Sequence, residues 1–163
     1  MIVMIERESA ALAAQFERVS AAVSAEIASL SPAHWRAVCR AERWTVGATA
    51  FHIADAYARN VDLIADAAMG DEYLVMADSL DALNDLAALA HADGTRAACL
   101  DLLRRNVNHA AGVVRALTPA QLAGACTLYD GWPPSSVRHL VVRSLICHPG
   151  IHLESIRAAV GAR

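Results

Sequence analysis

The stretch "ALAAQFERVSAAVSAEIASL", residues 11–30, decides how the rest of the chain reads. Leu12, Phe16, Val19, Val23, Ile27 and Leu30 recur at steps of four, three, four, four and three. That spacing lays one apolar stripe along an amphipathic helix, which predicts a helix over most of residues 3 to 29. "SPAHW" follows, and Pro32 cannot continue the hydrogen-bond ladder, so a turn begins there.

Outward from this element the same period returns. "WTVGATAFHIADAYARNVDLIADAAMG" (44–70) predicts a second long helix with Thr45 as N-cap and Gly70 as its stop. Leu80, Leu83, Leu86 and Leu89 mark a short helix that Gly94 breaks. Leu100, Leu103, Val107, Ala111, Val114 and Leu117 stripe a third long helix, closed by Thr118 and Pro119. A fourth runs from about Ser135 to Val160 and is interrupted or kinked at Pro149. Nothing alternates with period two for long enough to make a sheet. The expected fold is an all-α, single-domain four-helix bundle over residues 1–163, with a long crossover between helices two and three.

A short internal repeat accompanies these helices. "LSPAHWRAVC" (30–39) and "LTPAQLAGAC" (117–126) share leucine, proline, alanine and cysteine in register. Each is followed by a tryptophan (Trp44, Trp132) and then by a helix, which suggests two similar helix-pair halves.

Composition narrows the function. A net charge of −3, with no lysine or arginine cluster, leaves no electrostatic footprint for nucleic acid or an anionic membrane. The five apolar residues ahead of Glu6 are too few for a signal-peptide core, and no run of about 18 uncharged apolar residues suits a membrane span. Cys39, Cys99, Cys126 and Cys147 form no C-x-x-C and read as reduced, mostly buried thiols. The expectation is a soluble, cytoplasmic helical domain.

Of the seven histidines, two stand out in "LICHPGIHLESIRAAVG" (145–161). Chance placement of that many histidines gives about 0.3 pairs at i,i+4, so spacing alone is weak. On a helix His148 and His152 lie about 40° apart, sharing a stripe with Val141, Leu145, Ile151 and Ser155 that should face the core, while His139 points away. Two imidazoles on a buried stripe need their nitrogens satisfied. One solution is a metal, for which H-x-x-x-H presents two ligands. The other is a pair of hydrogen bonds to carbonyls that Pro149 frees, Leu145 oxygen first among them. For a metal, His52 is the best third ligand, because antiparallel second and fourth helices bring its level to that of His152. His34, His91 and His109 read as surface or hydrogen-bonding residues.

The order Trp44-Thr45-Val46, His52 seven residues after Thr45, and a C-terminal H-x-x-x-H resembles the DinB/YfiT-like superfamily. That superfamily includes the N-terminal domain of mycothiol-dependent maleylpyruvate isomerase and several thiol S-transferases. "HLESIRAAVG" (152–161) is similar to the isomerase-type ending, and "SLDALNDLAALA" (79–90) resembles the segment ahead of helix three. The resemblance covers nearly the whole chain. It implies a four-helix bundle, a homodimer, and a divalent-metal site whose ligands, by position, are His52, His148 and His152. The chain departs from the pattern at Pro149-Gly150, inside the H-x-x-x-H, where a bend would turn His148 away.

Three imidazoles suit zinc or nickel and leave positions open for water or a thiol. The resemblance implies that the nucleophile is a low-molecular-weight thiol, used in S-transfer to a small-molecule substrate or in isomerisation. Asp55, one turn from His52, and Ser155, on the His152 face, are candidates to orient a ligand or a water, and Arg59 is a candidate partner for a carboxylate on a thiol. Cys147 reads as packing. The alternative is a non-catalytic dimeric bundle, a binding or stress protein with a vestigial site.

Overall fold

The computed structural model describes residues 2–71, 77–127 and 133–161. Among these the protein is mainly α-helical, as the periodicity predicts. The elements run α1 (Ile2–Ser29), α2 (Pro32–Trp35), α3 (Val46–Met69), α4 (Ala77–Ala90), α5 (Arg96–Ala116) and α6 (Pro119–Ala123). Two strands of two residues follow, β1 (Ala125–Cys126) and β2 (Ser135–Ser136), paired antiparallel. They are too short to leave an alternating pattern in the sequence. The chain ends in a composite helix: α7 (Val137–Val141), a π-helical segment (Val142–Cys147) and α8 (His148–Gly161).

The stripe read from α1 is the core-facing one. Leu12, Phe16, Val23, Ile27 and Leu30 are all buried. Phe16 meets Tyr57 of α3 edge to face, with ring centroids 4.9 Å apart at 88°, an arrangement that suits the ring quadrupoles. α3 and α5 pack along each other, and α1 lies against α5. Ion pairs register α1 on the composite helix: Arg138 with Glu8 at 2.6 Å and Arg157 with Glu26 at 2.6 Å. The long connection from α3 to α5 contains α4, which packs on α3. Among the described residues no helix is long and apolar enough to cross a membrane.

The repeat has a structural counterpart. Ser31 and Thr118 each cap a short helix opened by proline, and Leu30 and Leu117 just before them are buried. Thr118 therefore starts α6 through a capping box with Gln121, in addition to closing the helix before it. An antiparallel bridge follows in each half, Val38 to Thr45 and Ala125 to Ser136. Thr45 and Ser136 then cap α3 and α7. Trp132, the second tryptophan of the repeat, lies outside the described residues.

Pro149 acts differently from the bend expected of it. The irregularity sits ahead of it, in the π-helical segment, where the His148 amide donates to the Arg143 carbonyl five residues back. In that register the next carbonyl, Ser144, faces the Pro149 nitrogen, which has no hydrogen. Asn60 of α3 supplies one, its Nδ2 donating to Ser144 O at 3.3 Å. A side chain from another helix thus satisfies the Ser144 carbonyl. α8 continues from His148 without a break.

Candidate metal centre

His52 lies two turns into α3, where the Thr45 cap fixes the start of the helix: the Thr45 side chain accepts from the Ala48 amide at 3.1 Å. His148 opens α8, and His152 follows one turn later. α3 and the composite helix run antiparallel, since Asn60 meets Ser144 while His52 meets the two C-terminal histidines. The ring centroids are 5.6 Å apart for His52 and His148, 4.6 Å for His52 and His152, and 4.7 Å for His148 and His152. One ring nitrogen from each lies within 4.8 Å of the others. Nε2 of His148 and Nε2 of His152 are 3.2 Å apart.

The environment keeps two of these rings neutral. Burial, then the neighbouring His152, His148 and Arg59, push the His52 pKa down to about 3. Burial, His152, Arg59 and Arg143 lower that of His148 to about 4. Neutral imidazoles offer lone pairs, as metal ligation requires. Nδ1 of His52 and Nδ1 of His148 are buried and have no hydrogen-bond partner among the described residues.

A carboxylate completes the cluster. Oε1 of Glu42 lies 3.0 Å from His152 Nδ1, and both side chains are nearly buried, at 10% and 13% exposed. A carboxylate only accepts, so His152 donates from Nδ1 and turns Nε2 toward His148. Glu42 sits in the tight turn between Cys39 and Thr45. There the Cys39 amide donates to the Trp44 carbonyl and the Arg43 amide to the Cys39 carbonyl, both at 2.8 Å. Arg43 takes φ 64°, the left-handed region that a non-glycine residue enters at a cost. Its two neighbours both serve the site. Trp44 lies over His52, ring centroids 5.2 Å apart, and its Nε1 donates to Asp85 Oδ1 of α4 at 2.8 Å.

A cavity of ≈ 490 Å³ opens beside His52 and His148, walled by α3, α4 and the composite helix. Its volume falls in the range of small-molecule sites.

The DinB superfamily matches over residues 15–156. The chain belongs to the DinB superfamily. Searches of the curated proteins and of the solved structures returned no significant match.

Within this DinB-superfamily chain the residues singled out from the sequence are distributed unevenly. His52, His148 and His152 come together. The alternative satisfaction of the two C-terminal histidines, by carbonyls freed at Pro149, is not seen among the described residues: His152 is bonded to Glu42 and His148, and His148 Nδ1 has no partner. Asp55 serves elsewhere. Its Oδ2 holds His91 Nε2 at 2.9 Å, and His91 stacks on Phe51 at 4.2 Å. Ser155 is half-buried and makes no side-chain hydrogen bond among the described residues. Glu42 occupies the position beside a ligand that had been expected of these two. Cys147 is exposed on the cavity wall instead of packed, and Ile151, expected in the core, is 62% exposed on the same wall. Arg59 lines the cavity, and Arg143 joins it there. Nothing in the spacing of "CRAERW" marks Glu42, since only the turn brings it to His152.

Proposed function

We propose that His52, His148 and His152 hold one divalent cation, zinc or nickel, and that the protein is a metal-dependent enzyme of the thiol S-transferase or isomerase type. The observation that carries this reading is the convergence of three imidazole nitrogens within 4.8 Å at the edge of an open cavity. The residues fit such an ion. Two of the rings are held neutral, the third is oriented by Glu42, and two buried ring nitrogens have no partner among the described residues. Three nitrogen ligands are the donor set of an open, catalytic site.

A bound ion would lower the pKa of a thiol or water, supplying a nucleophile at neutral pH. The chain's own part is to hold and shape. Glu42 fixes the His152 tautomer, Trp44 covers one side of His52, and the cavity admits a low-molecular-weight thiol and a small electrophile. Membership of the superfamily and the resemblance of the His52 and C-terminal motifs support the thiol.

The direct test is thiol conjugation to a chromogenic electrophile, run with zinc-loaded, nickel-loaded and chelated protein. Turnover that follows the metal and disappears in His52→Ala supports the reading. Metal-loaded protein with no turnover across several thiols leaves a binding protein with a vestigial site. The exposed stripe Leu83, Leu86 and Leu89 on α4 is the feature that favours this second reading.

A further inference from the structure

The cavity beside the histidines is a groove whose direction is fixed by contacts between the helices. On α3 its lining positions His52, Ala56, Asn60 and Leu63 recur at steps of four, four and three, along one face of the helix. At about 1.5 Å per residue they span roughly 16 Å. α4 runs antiparallel to α3, since His91 just past its end meets Asp55 while Asn84 meets Arg59. Leu80 and Leu83 of α4 therefore lie toward the Leu63 end. His148 meets His52 and Ser144 meets Asn60, so the composite helix follows the same groove in the opposite sense to α3. The histidine cluster stands at one end, and the groove leads away from it.

The walls offer a ligand aliphatic surface. Leu83 is 56% exposed, Leu63 and Leu80 are half-buried, and all three line the cavity. Ile151, 62% exposed, flanks the histidine end three residues past His148. Large aliphatic side chains left this exposed on a concave wall gain from contact with an apolar ligand. The long polar side chains of the walls are engaged by the protein itself. Arg59 Nη2 donates to Asn84 Oδ1 and Asn60 Nδ2 to the Ser144 carbonyl, both at 3.3 Å. Arg143 is engaged as well. Asp62 is 74% exposed and faces His109 of α5 at 4.0 Å. Asp66 stands three residues beyond Leu63, at the end remote from the histidines.

We propose that the groove binds a linear aliphatic chain, with the functional end of the chain at the histidines and its methylenes against Leu63, Leu80 and Leu83. That this chain belongs to a reactant rests on the function proposed above; the fit of a chain to the groove does not. Leu86, 64% exposed on the same helix, does not line the cavity and serves as the control.

The experiment is isothermal titration of chelated and of zinc-treated protein with butan-1-ol, hexan-1-ol, octan-1-ol and octane-1-thiol. Each added methylene is expected to tighten binding about threefold to fourfold, the gain for moving it from water to an apolar wall. Octan-1-ol should therefore bind at least fiftyfold more tightly than butan-1-ol. Leu83→Asn should weaken octan-1-ol at least fivefold, and Leu86→Asn should leave it unchanged. In zinc-treated protein octane-1-thiol should bind at least tenfold more tightly than octan-1-ol, an advantage that chelation removes. Affinity that is flat across chain length overturns the proposal. So does a steep chain-length dependence that is indifferent to Leu83→Asn or equally lost in Leu86→Asn, since the chain would then lie outside the groove. Zinc-bound protein with no preference for the thiol overturns the placement of the functional end. If no zinc is taken up yet octan-1-ol keeps its dependence on Leu83, the groove stands and the metal reading falls.

Discussion

The turn that leads into α3 and the turn that leads into α7 begin alike and end differently. Both start with a buried leucine, a Ser or Thr cap, a proline-opened short helix and an antiparallel bridge. The first then launches a regular helix of 24 residues. The second launches five residues of α-helix, six of π-helix and fourteen more of α-helix. The first half places one histidine in the cluster, together with the carboxylate that orients its partner. The second places two histidines, and its helix carries the irregularity. The shared part of the repeat is packing and capping. The divergent part is where the two helices meet at the cluster, and it includes the π-helical segment, a form that recurs at functional sites.

If the shared part is common architecture, the two leucines should behave as equivalents. Leu30→Ala and Leu117→Ala should each cost about 2–5 kcal/mol, the range for truncating a buried leucine, measured by urea unfolding. A large loss at one and none at the other would break the comparison.

The next test addresses the divergence. Asn60→Leu removes the side-chain donor from the half-buried Ser144 carbonyl and should cost about 1 kcal/mol. Pro149→Ala restores a backbone N–H at the position where that carbonyl points. Pro149→Ala should therefore recover most of the loss in the Asn60→Leu background and do little in the wild type. Additive effects in that double-mutant cycle would mean that the asparagine does not stand in for the missing amide.

How much of this was legible beforehand depends on whether the cause was local. The stripe in α1, the Thr45 cap and the Gly70 stop, whose φ is 88°, follow from residues close in sequence, and each reads correctly. The i,i+4 pair His148 and His152 is likewise local, and the superfamily motifs direct attention to His52. The π-helical segment is not legible, and the Asn60 side chain that meets its Ser144 carbonyl comes from another helix. Glu42 is hidden for the same reason: a left-handed Arg43 turns the chain so that residue 42 meets residue 152. Asp55 lies one turn from His52 in sequence, but its side chain meets His91 instead.

The smallest effect concerns the two halves' histidines in metal-free protein. His52 and His148 have folded pKa values of about 3 and about 4, below the usual 6.5. Below pH 6.5 the unfolded chain takes up protons that the folded chain refuses, so stability is full above that pH and falls as pH drops toward the folded values. At pH 5.5 each should contribute about 1 kcal/mol of the loss. Denaturant midpoints of chelated protein between pH 7.5 and 5.5 would show it, and His52→Asn should flatten the slope. A flat profile in the wild type would mean that the two rings are not buried together as described.

The central claim is that both halves contribute to one metal centre, and metal content measures it most directly. Elemental mass spectrometry of purified, untagged protein, before and after zinc addition, is predicted to give about one divalent ion per chain, as expected for a single site of three histidines. His52→Ala from the first half and His152→Ala from the second should each lose it, and Glu42→Gln should weaken retention about 10–100-fold. Retention that survives His52→Ala, or a wild type that neither holds nor takes up an ion, would contradict the account.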